Sequence, residues 1–278
     1  MVNIGKINNL QIIKAVSFGL YLDGGGIEIL LPKRYVPEKY ELFDYLDVFV
    51  YVDSEDRLVA VTDTPYAKVD ECAYLKVVAS NHIGAFMDWG LIKDLLVPHN
   101  EQVIPLAVGK SYVVYVYLDH ETERLAASTK LRNFISETSV YHEEGQQVDL
   151  LIQAETEMGY KAIVDNTHIG LIYHNEVFQE LSIGQRVQGY IKLIREDHKI
   201  DLCLQRPARQ ERDALMERIL QDLKQRDGTS DLTDRSPPDS IYRQFSVSKK
   251  NYKKALGRLY KQRLIKIEPK KITLISAI

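Results

Sequence analysis

His82-Ile83-Gly84-Ala85-Phe86-Met87-Asp88, followed by Leu95-Leu96-Val97-Pro98-His99-Asn100-Glu101, reads as two strands built around a glycine. The same plan stands before it, as Ser17-Phe18-Gly19-Leu20-Tyr21-Leu22-Asp23 and then Ile29-Leu30-Leu31-Pro32. It stands again after it, as Glu157-Met158-Gly159-Tyr160-Lys161-Ala162-Ile163-Val164 and then Gly170-Leu171-Ile172-Tyr173-His174-Asn175-Glu176. Gly19, Gly84 and Gly159 lie 13, 14 and 14 residues before Pro32, Pro98 and Tyr173. An all-β pattern repeating every 65 to 75 residues means an array of small domains rather than one large fold.

Working outward, alternation and β-branched content predict five short strands in each of three stretches, residues 5–65, 73–131 and 145–205. Gly109 to Arg124 and Gly184 to Lys199 are both 15 apart, a second matching spacing. Five antiparallel strands in some 60 residues suit a Greek-key barrel of the OB type. Each glycine stands where a strand bends to close a small barrel, and the residue two positions on (Tyr21, Phe86 or Lys161) shares its face. Gly24-Gly25-Gly26 lacks the Gly-Lys-Ser/Thr ending of a phosphate loop, and no helix follows it, so it reads as a hairpin turn. Residues 132–144 mix polar and apolar positions and read as a connector.

The pattern changes after Arg206-Pro207. Arg209 to Gln225 forms an amphipathic helix with Leu215, Ile219 and Leu223 on one stripe beside Met216 and Leu220, and Gly228 stops it. Pro237-Pro238 opens a short second helix through about Gln244 with Ser236 as N-cap. Ser246 or Ser248 caps a third helix to about Gln262, with an apolar stripe of Tyr252, Ala255, Leu256, Leu259 and Tyr260. Leu264–Ile267 and Ile272–Ile275 are two strands joined at Pro269-Lys270-Lys271. Three helices and a hairpin outline a winged helix-turn-helix.

Charge divides the chain in the same way. The net charge of −3 conceals +10 from Arg235 onward, where twelve Lys and Arg face only Asp239 and Glu268, and −13 before it. A basic end on an acidic body points to a polyanionic partner for that end. Cys72 and Cys203 fall in separate units without metal spacing and read as buried free thiols of a reducing compartment. Without a leader pattern or an apolar run of about 18 residues, the expectation is a soluble, cytoplasmic protein with no membrane partner.

The three β units resemble the S1 RNA-binding fold, on Gly84-Ala85-Phe86-Met87-Asp88, Gly170-Leu171-Ile172 and the Gly109 and Gly184 landmarks. Three S1-like units before a winged helix resemble the conserved virulence factor B family of bacteria. The tail carries the same likeness in Pro237-Pro238-Asp239-Ser240-Ile241-Tyr242 and Ser248-Lys249-Lys250-Asn251-Tyr252-Lys253-Lys254-Ala255-Leu256-Gly257. The resemblance implies RNA binding, an effect on gene expression and no catalytic residues. Departures from it are Pro98 and Tyr173 where an S1 strand carries histidine, Pro32 without a preceding Gly-Leu, and Lys161 where an aromatic is usual. The expected architecture is mainly β with an α+β C-terminus: S1-like barrels over 1–66, 67–143 (with the connector) and 144–206, and a winged helix over 207–278.

Single-stranded nucleic acid needs flat rings for bases and cations for phosphates. The candidate RNA-binding residues are Phe18, Tyr21, Phe86, Trp89, Tyr160, Lys161, Tyr173 and His174. Each aromatic could equally fill a barrel core or an interdomain seam, and Phe18 and Tyr21 cannot both point the same way on a regular strand. Lys14, Lys33, Arg34, Lys192 and Arg195 are local cations that would offset the acidity of the barrels. Candidate phosphate contacts in the tail are Lys249, Lys250, Lys253, Lys254, Arg258 and Lys261, with Lys270 and Lys271 at the hairpin tip. Lysines predominate there, favouring phosphate contact over base reading, with DNA a possible partner through the winged helix. The repeated His-Asn-Glu at 99–101 and 174–176 is consecutive rather than convergent and reads as a strand-end turn, so no metal or other cofactor is expected. Alternatives are a protein-interaction scaffold of degenerate S1 units and an RNA-processing enzyme.

Overall fold

The computed structural model describes residues 2–177, 180–205, 208–245 and 247–275. They fall into two compact units, one holding three closed five-stranded barrels and the other the helical C-terminal residues. The first barrel consists of β1 (Ile7–Val16), β2 (Gly19–Asp23), β3 (Glu28–Pro32), β4 (Tyr45–Val52) and β5 (Leu58–Val61). The second consists of β6 (Cys72–Ser80), β7 (Gly84–Asp88), β8 (Leu95–Pro98), β9 (Ser111–Leu118) and β10 (Leu125–Ser128). The third consists of β11 (Gln147–Thr156), β12 (Gly159–Val164), β13 (His168–Tyr173), β14 (Arg186–Ile194) and β15 (Ile200–Cys203). All three close in the order 1-2-3-5-4, with strands three and five parallel. That is the OB arrangement, mainly β, expected from the repeat.

The repeat extends to local detail. Each first strand carries a bulge, between Ile12 and Lys14, Val77 and Ala79, and Ile152 and Ala154. The spaced glycine and its partner prove to be direct neighbours across strands two and three: Gly19 with Pro32, Gly84 with Pro98, and Gly159 with Tyr173. A Cβ on these glycines would lie 2.2, 2.2 and 2.0 Å from the carbonyl oxygens of Leu31, Val97 and Ile172. Close approach of the third strand, more than bending, excludes every other residue there.

Barrels one and two share one continuous apolar core. Trp89 stands in it, edge-on to Phe49 at 5.7 Å, with its indole N–H donating to the Lys93 carbonyl at 2.5 Å. The second and third barrels are joined by a smaller cluster containing Cys72, Leu131, Ile135, Leu151 and Ile163. The connector is therefore packed rather than loose: Phe134 stacks on Tyr115 and Tyr117 at 4.6 and 5.2 Å. Cys72 and Cys203 are buried and form no disulfide.

The second unit comprises α1 (Ala208–Gln225), β16 (Thr229–Ser230), α2 (Pro238–Phe245), α3 (Lys249–Lys261), β17 (Ile265–Ile267) and β18 (Ile272–Leu274). Leu215, Ile219, Leu223, Ile241, Phe245, Tyr252, Leu256, Leu259, Ile265 and Ile272 are buried in its core. Gly228, at φ +79°, donates to the Leu223 carbonyl and ends α1. The hairpin gains an unforeseen third strand, β16, paired with β18. Ser248 caps α3 by accepting from the Asn251 N–H, while Ser246 and Arg206-Pro207 lie outside the described residues. Ser236 does not cap α2, because its hydroxyl accepts from the Thr233 N–H in the preceding turn. Tyr260 leaves the expected buried stripe and is exposed. No helix among the described residues is long and apolar enough to cross a membrane.

Candidate nucleic-acid interface

Strand pairing aligns one outward row in each barrel. Lys14, Tyr21 and Leu30 lie side by side in the first, Ala79, Phe86 and Leu96 in the second, and Ala154, Lys161 and Leu171 in the third. Tyr21, Phe86 and Lys161 are thus structural equivalents, each partly exposed on the outer face of strands two and three. The Lys14 ammonium sits 5.4 Å from the centre of the Tyr21 ring, a cation beside a stacking surface. Phe18 precedes β2 and belongs to the hairpin turn, so strand alternation does not separate it from Tyr21; the rings meet edge to face at 6.3 Å.

Trp89 is a correction. At 2% exposure it fills the core between the first two barrels and offers no ring to a base. Tyr160 and Lys161 are consecutive on β12 and point to opposite sides. Tyr160 occupies the core-facing position of Leu20 and Ala85, half-exposed at the barrel rim with its ring 5.6 Å from His174. His174 closes a turn, its Nε2 lying 3.1 Å from the Thr156 carbonyl, as His99 Nε2 lies 2.9 Å from that of Asn81. The repeated His-Asn-Glu is thereby explained, and no cluster of three or more His, Cys, Asp or Glu that could hold a metal occurs among the described residues. Tyr173 shares the outward side with Lys161 and Leu171, and its hydroxyl accepts from the Arg195 guanidinium. Asp201, hydrogen-bonded to Arg195 at 2.8 Å, holds that guanidinium even more firmly protonated than usual.

One repeated feature escaped the sequence reading. The residue immediately before each glycine, Phe18, Ile83 or Met158, sits at the hairpin tip with its apolar side chain 54%, 50% and 56% exposed. Its carbonyl accepts from the N–H of Lys33, His99 or His174, so all three tips are held alike. The signal lay in the repeat itself, an apolar residue at a fixed offset from the glycine.

In the second unit, Lys250, Lys253, Lys254, Arg258 and Lys261 line the exposed side of α3, opposite the buried Tyr252, Ala255, Leu256 and Leu259. Lys249 is drawn aside, its ammonium 3.3 Å from the Arg235 carbonyl. Lys271 pairs with Glu268 at 3.7 Å, and Lys270 is exposed at the hairpin tip. Tyr260, seven residues after Lys253, adds an exposed ring to the cationic side.

The description "S1 domain" matches residues 4–63 and 71–130, and "CvfB-like winged helix domain" matches residues 217–274. The chain is 31% identical to the uncharacterized protein YitL of Bacillus subtilis, over 92% of this chain and 89% of that one. It is 25% identical to conserved virulence factor B of Staphylococcus epidermidis and 24% identical to that of Staphylococcus aureus, each over 98% of this chain and 94% of the relative. S1 and winged-helix domains are nucleic-acid-binding types, and nearly the whole chain takes part in the match. The chain belongs to the conserved virulence factor B family.

Proposed function

We propose that this protein binds single-stranded RNA without catalysis and acts in the regulation of gene expression, with the barrels supplying base contacts and α3 supplying phosphate contacts. The observation that carries the reading is the equivalence of Tyr21 and Phe86, partly exposed rings at one outward position of successive barrels. Base stacking on such rings contributes roughly 1–3 kcal/mol per base and tolerates any sequence. The barrels are acidic, so each binds modestly and the covalent link between them multiplies the effect. The lysines of α3 fit a phosphate backbone, RNA or DNA.

Mobility shift with single-stranded RNA, single-stranded DNA and duplex DNA tests this. The expected result is a preference for RNA that Tyr21→Ala with Phe86→Ala reduces. Absence of any shift at low salt would refute it, and cleavage on adding a divalent metal would restore an enzymatic reading. A protein-binding scaffold is favoured by one observation, the exposed Tyr40, Leu42, Phe43 and Tyr45 of the first barrel.

A further inference from the structure

The turn that leads into the fourth strand of the first barrel, residues 38–45, is built unlike a solvent loop. Tyr40, Leu42, Phe43 and Tyr45 are exposed, Phe43 and Tyr45 by 64% and 62%. The turn is fixed rather than slack. The Phe43 N–H donates to the Ile12 carbonyl at 2.9 Å, the Gln11 amide donates to the Phe43 carbonyl at 3.0 Å, and the Asp44 carboxylate accepts from the Glu41 N–H at 2.8 Å. Phe43 holds its ring outward from a left-handed backbone, φ +77°, that disfavours any residue with a Cβ. A strained conformation that presents a ring to water without burying it points to a contact made outside the barrel.

The same turn is a docking point elsewhere in the chain. In the third barrel Gly184 takes the place of Phe43, at φ +85°, and the Tyr74 ring of the second barrel lies against its Cα, where any Cβ would collide. Arg186, beside it, donates to the Cys72 carbonyl of the second barrel at 2.5 Å. In the third barrel, then, this turn receives a ring from another domain, and in the first it offers one.

Charge decides what can cover it. Glu38, Glu41, Asp44 and Asp47 lie among the exposed rings, against Lys39 alone. Among the described residues none of these carboxylates has an ion-pair partner, and Asp44 and Asp47 are met by neutral donors, the Glu41 N–H and the Asn9 amide. Such a surface repels a phosphate backbone and attracts Lys and Arg, whose aliphatic stems lie well along aromatic rings.

We propose that residues 38–47 of the first barrel dock a cationic segment of another protein, with Phe43 and Tyr45 as its anchors. Aromatic anchors supply most of the affinity of such contacts, and charge complementarity selects the partner. The proposal deepens the protein-binding reading of this barrel and rests on it, and it is independent of RNA bound elsewhere on the chain.

The test uses the full chain and a displayed library of random twelve-residue peptides, selected on the wild type. Enriched peptides are titrated by fluorescence anisotropy against wild type, Phe43→Gly, and Glu38→Lys with Glu41→Lys. Glycine suits the Phe43 backbone, both glutamates are exposed, and thermal unfolding checks that the variants fold. The expected result is enrichment of Lys and Arg beside aromatic or aliphatic residues, with affinity falling about tenfold or more in each variant. Peptides that depend on Phe43 but carry no excess of Lys and Arg, or that bind the charge-reversed variant equally well, overturn the cationic partner and leave the protein-binding reading standing. Peptides indifferent to Phe43→Gly, or no enrichment at all, overturn both. Single-stranded RNA, run as a separate probe, should bind Phe43→Gly as it binds the wild type, and RNA binding lost in that variant overturns the proposal by giving the turn to nucleic acid.

Discussion

Phe43 in the first barrel stands where Gly109 stands in the second. The Phe43 N–H donates to the Ile12 carbonyl at 2.9 Å and the Gly109 N–H to that of Val77 at 2.8 Å, both from residues bordering the bulge. Their φ values are +77° and +84°, and Gly184 of the third barrel repeats the geometry at +85°. Glycine takes that conformation freely, whereas a residue with a Cβ does so at a cost of about 1–2 kcal/mol. Phe43 is nonetheless exposed, so core packing does not offset its strain. Phe43→Gly should leave stability unchanged or raise it by about 1 kcal/mol, as read by denaturant unfolding of the full chain. A large loss of stability would show that the ring has a structural role.

Two other glycines should respond in opposite directions. Gly84→Ala places a Cβ 2.2 Å from the Val97 carbonyl and should cost about 2–4 kcal/mol, because backbone and not a flexible side chain is in the way. Gly257 lies within α3 with open space around its missing Cβ. Gly257→Ala should stabilise the C-terminal unit by about 0.5–1 kcal/mol, seen as a higher melting temperature of its helical signal.

Trp89 and Phe86, three residues apart, should separate folding from binding. Trp89→Ala empties a buried site and should cost about 3–5 kcal/mol. Phe86→Ala removes a partly exposed ring and should weaken RNA affinity by the stacking contribution, about 1–3 kcal/mol, with a smaller effect on unfolding. Paired unfolding and anisotropy measurements on the two variants distinguish these outcomes.

The α3 lysines should act through salt. Lys253→Ala with Lys254→Ala should weaken binding to all sequences alike and make the plot of log affinity against log salt shallower by roughly 0.7 per lost contact. An unchanged slope would remove these residues from the interface.

His168, at the start of β13, has its pKa lowered from 6.5 by burial and by the neighbouring His142 ring, with Asp165 opposing. A depressed folded-state pKa means the neutral form is favoured by folding. The associated stability is present above about pH 6.5 and is lost as pH falls through the folded value. Amide protection in residues 131–142, taken relative to the intrinsic exchange rate at each pH, should fall on acidification below pH 6.5, and His168→Asn should flatten that dependence.

The glycine repeat was legible because close strand approach forbids any side chain, and this requirement is written into one residue type at one spacing. The order of the barrels, the three helices and the basic α3 were legible for the same local reasons: alternation, apolar stripe and cap. Ser236 and Tyr260 went astray at helix ends, where one residue of displacement changes which group is satisfied or buried.

What the sequence alone determined was the array itself: three small barrels, a winged helix and the separation of their charge. Only the tertiary structure decided which rings are free. Trp89 and Phe86 have the same aromatic character along the chain, but the first barrel packs over Trp89 and leaves Phe86 open. Likewise only folding brings the connector to Lys161, since Arg132 and Glu137 reach the cleft around it through backbone pairing with β13 and not through proximity in sequence. Burial and enclosure depend on contacts between distant segments, and no local pattern encodes which segments those will be.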